Sequence, residues 1–359
     1  MSATVPPVGG DVATPREAFA YRGLQYRFLP RYRVIWAAAL LLIAVCLLLE
    51  PHTFNAPSLK IETPLIAVLA IASLGQLLVV MVGGFDLSVA SVMTFASALL
   101  LKIGQSSDDR VVLAVVLTLA ACAAIGAVSG VLTSVGLNPL IVTLAMGGVV
   151  GAITLLFTSG GVEVISLNIP PGLSDFAAGH VGNVSNLLFI AFALVVLVAL
   201  VLRGTRVGRR LVAAGTNPAA ARVVGIRVRA YGVGAYAVAG LLYGAAGILL
   251  AAFVQHPDLN VGDPYLLSTF IVVALAGASL GGGPSSVLGT AAGAAFLILL
   301  NQFLAIKGLS PGDQSLIQGI VLIAAVAAVT AVRAGTFGRG TFGLGRLKRA
   351  AAGRASSRP

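Results

Sequence analysis

RGTRVGRRLVAAGTNPAAARVVGIRVRA, residues 203–230, is the one long polar interruption in a chain built otherwise from apolar runs. It holds Arg203, Arg206, Arg209, Arg210, Arg222, Arg227 and Arg229 and no acidic residue. A short helix with readable ends sits inside it. Asn217 suits the N-cap, where its side-chain oxygen accepts an orphan backbone N–H. Pro218 follows at N1, where a missing donor costs nothing, and Gly225 stands where a left-handed residue closes a helix. PAAARVV between them makes about two turns, too short to be stable alone in water. Either the membrane surface or a partner protein must hold it.

Outside this stretch the composition is that of a membrane protein. Of the 359 residues 58% are apolar and 10% charged, and the mean hydropathy is +1.01. Soluble domains are about one quarter charged. Uninterrupted apolar runs of about 20 residues read as membrane-spanning helices, whereas a β-barrel would show short alternating segments. The runs fall near 34–49, 63–82, 89–101, 111–135, 140–158, 186–202, 231–253, 265–280, 285–303 and 315–332. The fold class is therefore all-α and polytopic, with about ten transmembrane helices in two related halves joined by the 203–230 loop. Residues 1–33 read as an N-terminal segment, 34–333 as the transmembrane domain and 334–359 as a basic tail.

Ten spans put both termini on one side, and charge tests that count. The N-terminal segment, the 203–230 loop and the tail, counted with the adjoining Arg333, together carry 19 of the 23 Lys and Arg residues. Lys60, Lys102, Arg110 and Lys307 fall near the other side. Basic residues flank the cytoplasmic ends of spans, so both termini and the loop are expected in the cytoplasm. The net charge of +11 then reflects topology, with some attraction to anionic membrane lipid. It is not a nucleic-acid footprint.

Catalytic and metal chemistry find little support. Cys46 and Cys122 lie inside apolar runs and read as small packed hydrophobes. His52, His180 and His256 fall far apart in loops, and no metal-ligand spacing occurs. No nucleophile–base constellation or paired carboxylates stand out. No Walker A sequence is present, so ATP hydrolysis is not expected of this chain, nor any cofactor of its own.

Two glycine-rich breaks are more informative. GGFDLS, with Gly83, Gly84, Asp86 and Ser88, places a carboxylate against the apolar region, where ionised groups are expensive and usually functional. Its glycines allow the backbone to leave helical geometry, which requires a cavity or protein neighbours. Asp86 reads either as part of a transport path or as the cap of the following helix in a tight turn. GASLGGGPSS, with Gly277, Gly281 and Gly282, sits similarly in the second half. Breaks paired across two halves mark repeat-built transporters, and Asn138–Pro139 adds a turn between two spans. The pairs Gly126/Gly130, Gly147/Gly151, Gly240/Gly244 and Gly289/Gly293 permit close helix approach, within the bundle or in a homodimer.

Taken together, GGFDLSVASV (83–92), NPLIVTLAM (138–146), TRVGRRLVAAGTNPAAARVVGI (205–226) and GASLGGGPSSVLGTAAGA (277–294) resemble the permease subunits of bacterial ribose-type sugar ABC importers. The same superfamily includes branched-chain amino-acid permeases. The resemblance runs in order from about residue 60 to 333. It implies a multi-pass protein of the bacterial inner membrane, working as a homodimer by alternating access. The implied partners are an ATP-binding cassette subunit, which would carry ATP and magnesium, and a periplasmic or lipid-anchored sugar-binding protein. It also implies that the central loop docks on the ATPase through Arg206, Gly208, Gly215, Asn217, Ala220, Ala221, Arg222, Gly225 and Ile226. The path or its hinges would involve Gly83, Gly84, Asp86, Ser88, Asn138, Pro139, Gly277, Gly281 and Gly282. The chain departs from the family pattern at Ala90, at Gly277–Ala278–Ser279, near Pro284, and at Asp263–Pro264, where a glycine pattern is common. A permease for branched-chain amino acids or another small polar solute is the nearest alternative. An ion-coupled secondary transporter is the alternative of a different class, and it would want more ionisable groups in the membrane than Asp86.

Overall fold

The computed structural model describes residues 33–161, 167–279 and 281–327. Expectations resting on 1–32 and on 328–359 lie outside the described residues. In chain order the helices are α1 (Arg33–Leu49), α2 (Ala56–Met81), α3 (Val89–Gly104), α4 (Val111–Ser134) and α5 (Pro139–Phe157). There follow α6 (Pro171–Ala178), a hairpin of β1 (His180–Val181) and β2 (Val184–Ser185), and α7 (Asn186–Gly204). The rest are α8 (Arg206–Thr216), α9 (Pro218–Val223), α10 (Val228–Val254), α11 (Asp263–Leu275), α12 (Val287–Ile306) and α13 (Pro311–Ala327).

Each expected span has a helix. Six are long and apolar enough to cross a membrane; four shorter apolar helices complete the set, among them α3 and α11. The boundaries moved where capping outweighs hydropathy. Helix α2 begins seven residues before its apolar run, because the Asn55 side chain accepts from the Ser58 amide at 3.0 Å and Pro57 occupies the first turn. Helix α11 stops at Leu275 rather than near 280, because the glycines that follow adopt left-handed backbone (Gly277 φ +75°).

Two helices form the core. Helix α2 is buried on all sides from Ala67 to Met81, and α10 packs against α2, α3 and, most extensively, α4. A helix apolar all round belongs inside a bundle. The α4–α10 crossing is possible only because of its glycines. A Cβ at Gly126 would overlap the Tyr236 carbonyl oxygen, and one at Gly240 would overlap that of Cys122. Those glycine pairs therefore serve packing within the bundle, whereas Gly151 on α5 faces open space. Helices α4, α5 and α7 turn large apolar side chains outward, Val112, Ile141 and Leu200 among them, as lipid-facing helices do.

Candidate functional site

The 203–230 stretch folds as two helices, not one. Gly208, Leu211, Ala214 and Gly215 form the buried face of α8, and Arg206, Arg209 and Arg210 the exposed face. That three-to-four-residue spacing is helical. The glycines and clustered arginines hid it at the level of composition. Helix α9 has the expected ends. The Ala220 amide donates to Asn217 Oδ1 at 3.0 Å, Pro218 stands at N1, and Gly225 has φ +78°.

Burial divides the residues named for docking into two groups. Arg206, Asn217, Ala220, Arg222 and Gly225 are exposed; Gly208, Gly215 and Ala221 are buried, and Ile226 is half-buried. The buried ones face the protein itself: Gly208 lies against Leu202 at the end of α7, and Gly215 against Met81 and Val82. The sequence reading missed what the tip presents: Val223 is 88% exposed and Val224 73%. All seven arginines of the stretch are exposed around them. Two adjacent valines thus stand exposed on a stretch whose other exposed side chains include seven cations.

The seat is where distant glycines meet. A Cβ on Gly215 would overlap the Met81 carbonyl oxygen and lie 2.9 Å from its carbonyl carbon. A Cβ on Gly282 would overlap the Gly215 oxygen and lie 3.2 Å from the Gly83 nitrogen. The Gly283 amide donates to that same Met81 oxygen at 2.9 Å. Gly83, Gly282 and Gly283 all have positive φ, at +80°, +84° and +107°, a region open to glycine at little cost. Both breaks and the end of α8 therefore share one backbone junction. Gly281 is exposed beside it, while Gly277 is buried at the end of α11.

From this junction the 82–88 connection turns back into the bundle, held at three points. Tyr236 Oη donates to the Phe85 carbonyl at 3.0 Å. The Leu87 amide donates to Thr143 Oγ1 at 2.9 Å. The Phe85 ring stacks on Phe270 with centroids 6.1 Å apart. Neither Tyr236 nor Thr143 stood out in the sequence, since a tyrosine and a threonine within apolar helices carry no local signal. Asn138 and Pro139 do not join the junction. Asn138 caps α5 by accepting from the Leu140 amide.

Asp86 is 1% exposed. Its Oδ1 accepts from the Ser88 amide at 2.9 Å and from Ser88 Oγ at 2.6 Å. It thus fixes the residue that precedes α3 rather than capping the first-turn amides of that helix. A buried acceptor so used is replaceable by a neutral one. Asp86→Asn keeps the oxygen, so the amount of folded protein in the membrane should stay within about twofold of wild type. Asp86→Leu strands the Ser88 donors, at a cost of about 1–3 kcal/mol, and should lower thermal stability measurably. Equal stability of the two variants would show that these bonds do not hold the turn.

Among the described residues no group of three or more His, Cys, Asp or Glu is arranged to hold a metal ion. Cys46 and Cys122 are buried free thiols.

With this geometry in view, the comparisons are specific. Residues 63–326 match the family model described as branched-chain amino acid transport system / permease component. The ribose import permease protein RbsC of Escherichia coli K12 is 32% identical over 299 residues, covering 80% of this chain and 90% of that protein. The fructose import permease protein FruF of Bifidobacterium longum is 31% identical over 289 residues, covering 76% and 80%. The galactose/methyl galactoside import permease protein MglC of Escherichia coli K12 is 28% identical over 310 residues, covering 82% and 92%. No solved structure gives a significant match.

Proposed function

The chain belongs to the branched-chain amino acid transport system / permease component family, and on that premise we propose that it is the permease subunit of an ATP-driven monosaccharide importer. It is a multi-pass membrane protein of the all-α class, with one short hairpin. In this reading it works as a homodimer in the inner membrane with both termini in the cytoplasm. A separate ATP-binding cassette subunit holds ATP and magnesium, and a sugar-binding protein delivers solute to the opposite face. The chain does no covalent chemistry.

One observation carries the mechanism: the arginine-rich tip is fused through Gly215 to both glycine breaks. Exposed Val223 and Val224 offer a partner an apolar hold, and the surrounding arginines suit an acidic groove or, at the rim, lipid phosphates. A partner that closes on ATP and shifts α8 by an ångström or two must shift Met81 and Gly282 with it, because main chain rests on main chain. Packed interfaces respond to such displacements by switching rather than stretching. Movement at the breaks then opens the path at one end as it closes the other.

The names of the relatives favour a monosaccharide over an amino acid, and the test is direct. The permease, its ATPase and its binding protein are reconstituted in vesicles with labelled ribose, fructose or galactose. ATP-dependent accumulation of at least one sugar is expected. Solute uptake that follows an ion gradient and ignores ATP would place the protein among secondary transporters instead.

A further inference from the structure

We propose that Asp263, Leu267 and Phe270 of α11, closed from below by Phe85, line the path and contact the sugar in transit, with Asp263 setting which sugar hydroxyl pattern passes. The proposal rests on the importer reading and assigns residues that reading leaves open.

Depth comes first. A Cβ on Gly147, the ninth residue of the 19-residue α5, would lie 3.6 Å from the Ser88 Cα. Helix α3 therefore starts near the middle of a spanning helix. Gly262 packs on the second residue of α3, since a Cβ there would lie 3.0 Å from the Ala90 carbonyl carbon. The Gly262 amide also donates to Thr94 Oγ1 at 3.1 Å. Asp263, the first residue of α11, is consequently at mid-depth as well. From the other side, Gly247 of α10 packs on Met93 and Ala96 of α3. Helix α10 runs seven residues further, to Val254, which is about 10 Å at 1.5 Å per residue. The chain then returns through 255–262, descending into the bundle as irregular backbone.

Irregular backbone at that depth is tolerated only against protein or a water-filled cavity. This segment carries the exposed side chains of Asp258 and Asn260, and such polar groups at that depth suit water rather than lipid. Asp263 is exposed at its foot. A carboxylate facing lipid at mid-depth is expensive, so the face it occupies looks onto water. Positions 263, 267 and 270 share one side of a helix. Leu267 is 38% exposed, Phe270 is half-buried, and the other residues from Ser268 to Leu275 are buried.

The chemistry on that face suits a neutral sugar. A carboxylate accepts hydroxyl hydrogen bonds at both oxygens, and these charge-assisted bonds are the stronger kind. Below it the stacked Phe85 and Phe270 rings offer flat apolar faces to the C–H side of a pyranose or furanose. Phe85 is two residues from Gly83, so the floor of the path adjoins the junction that the α8–α9 tip would drive.

The test uses the complete transporter in vesicles. Asp263→Cys, in a chain whose two native cysteines are buried, is treated with a charged, membrane-impermeant methanethiosulfonate reagent. Leu197→Cys on the lipid-facing side of α7 is the control. Asp263→Asn is assayed for ATP-driven uptake of ribose, fructose and galactose. The expected results are labelling of Asp263→Cys with loss of uptake, no labelling of Leu197→Cys, and a change of about tenfold in the ratio of uptake rates among the sugars for Asp263→Asn. A merely structural role would lower all three rates together. If wild type transports but Asp263→Cys is as inert as Leu197→Cys and the sugar ratios hold, the assignment is overturned. If wild type moves none of the three sugars, the monosaccharide reading falls and this assignment with it.

Discussion

Gly215→Ala is expected to leave the protein in the membrane at near-normal level and to cut ATP-driven uptake at least tenfold. The variant adds one methyl group where the Met81 carbonyl oxygen already stands, with the carbonyl carbon 2.9 Å away. Overpacking of this kind usually costs about 1–3 kcal/mol. Here the obstructing atoms are main chain, so no rotamer change relieves it. The nearest relief is to lift the end of α8 off the junction, which breaks the link between tip and breaks while sparing the apolar helices that direct insertion. Uptake and ATP hydrolysis measured on the same vesicles would report it as hydrolysis without transport. Normal uptake would mean that the junction transmits nothing.

The double substitution Val223→Asp, Val224→Asp should act on the other side of the same link. Neither side chain supports the fold, being 88% and 73% exposed, so stability should be unaffected. Burying a valine against a partner contributes about 1.5–3 kcal/mol, and a carboxylate in its place gives up that burial and brings like charge toward the acidic groove that the neighbouring arginines suit. Loss of ATPase co-purification by well over tenfold is expected, with uptake falling in parallel. Arg222→Glu should have a smaller effect in the same direction, because a rim charge changes the rate of encounter more than the hold. An unaltered yield of ATPase with the double variant would move the docking surface elsewhere.

The fold was legible because membrane helices announce themselves by run length. Each apolar run became a helix, and caps such as Asn55 and Asn217 account for the shifts and ends. The helix α8 was not legible. Its buried positions 208, 211, 214 and 215 follow a helical period, but two are glycine and the arginines between them read as loop. The glycine breaks were visible one at a time, whereas their meeting was not: positions 83, 215 and 282 carry no pattern that pairs them, and only packed main chain brings them together. Val223 and Val224 looked like ordinary interior residues of a short helix. They are exposed because α9 is too short to bury more than one face, and that face is spent on Ala221. Asp263 stood out only as a departure from a family pattern. Its depth follows from Gly262 resting on Ala90, a contact between segments far apart in the chain.

The central claim is that the α8–α9 tip is the handle by which an ATPase works the breaks. Gentle solubilisation of native membranes, affinity capture of this chain and identification of what accompanies it test that claim most directly. A P-loop ATPase retained by wild type and lost from the Val223→Asp, Val224→Asp variant is the predicted result. Wild type that emerges without an ATPase, yet moves solute down an ion gradient once reconstituted, would contradict it.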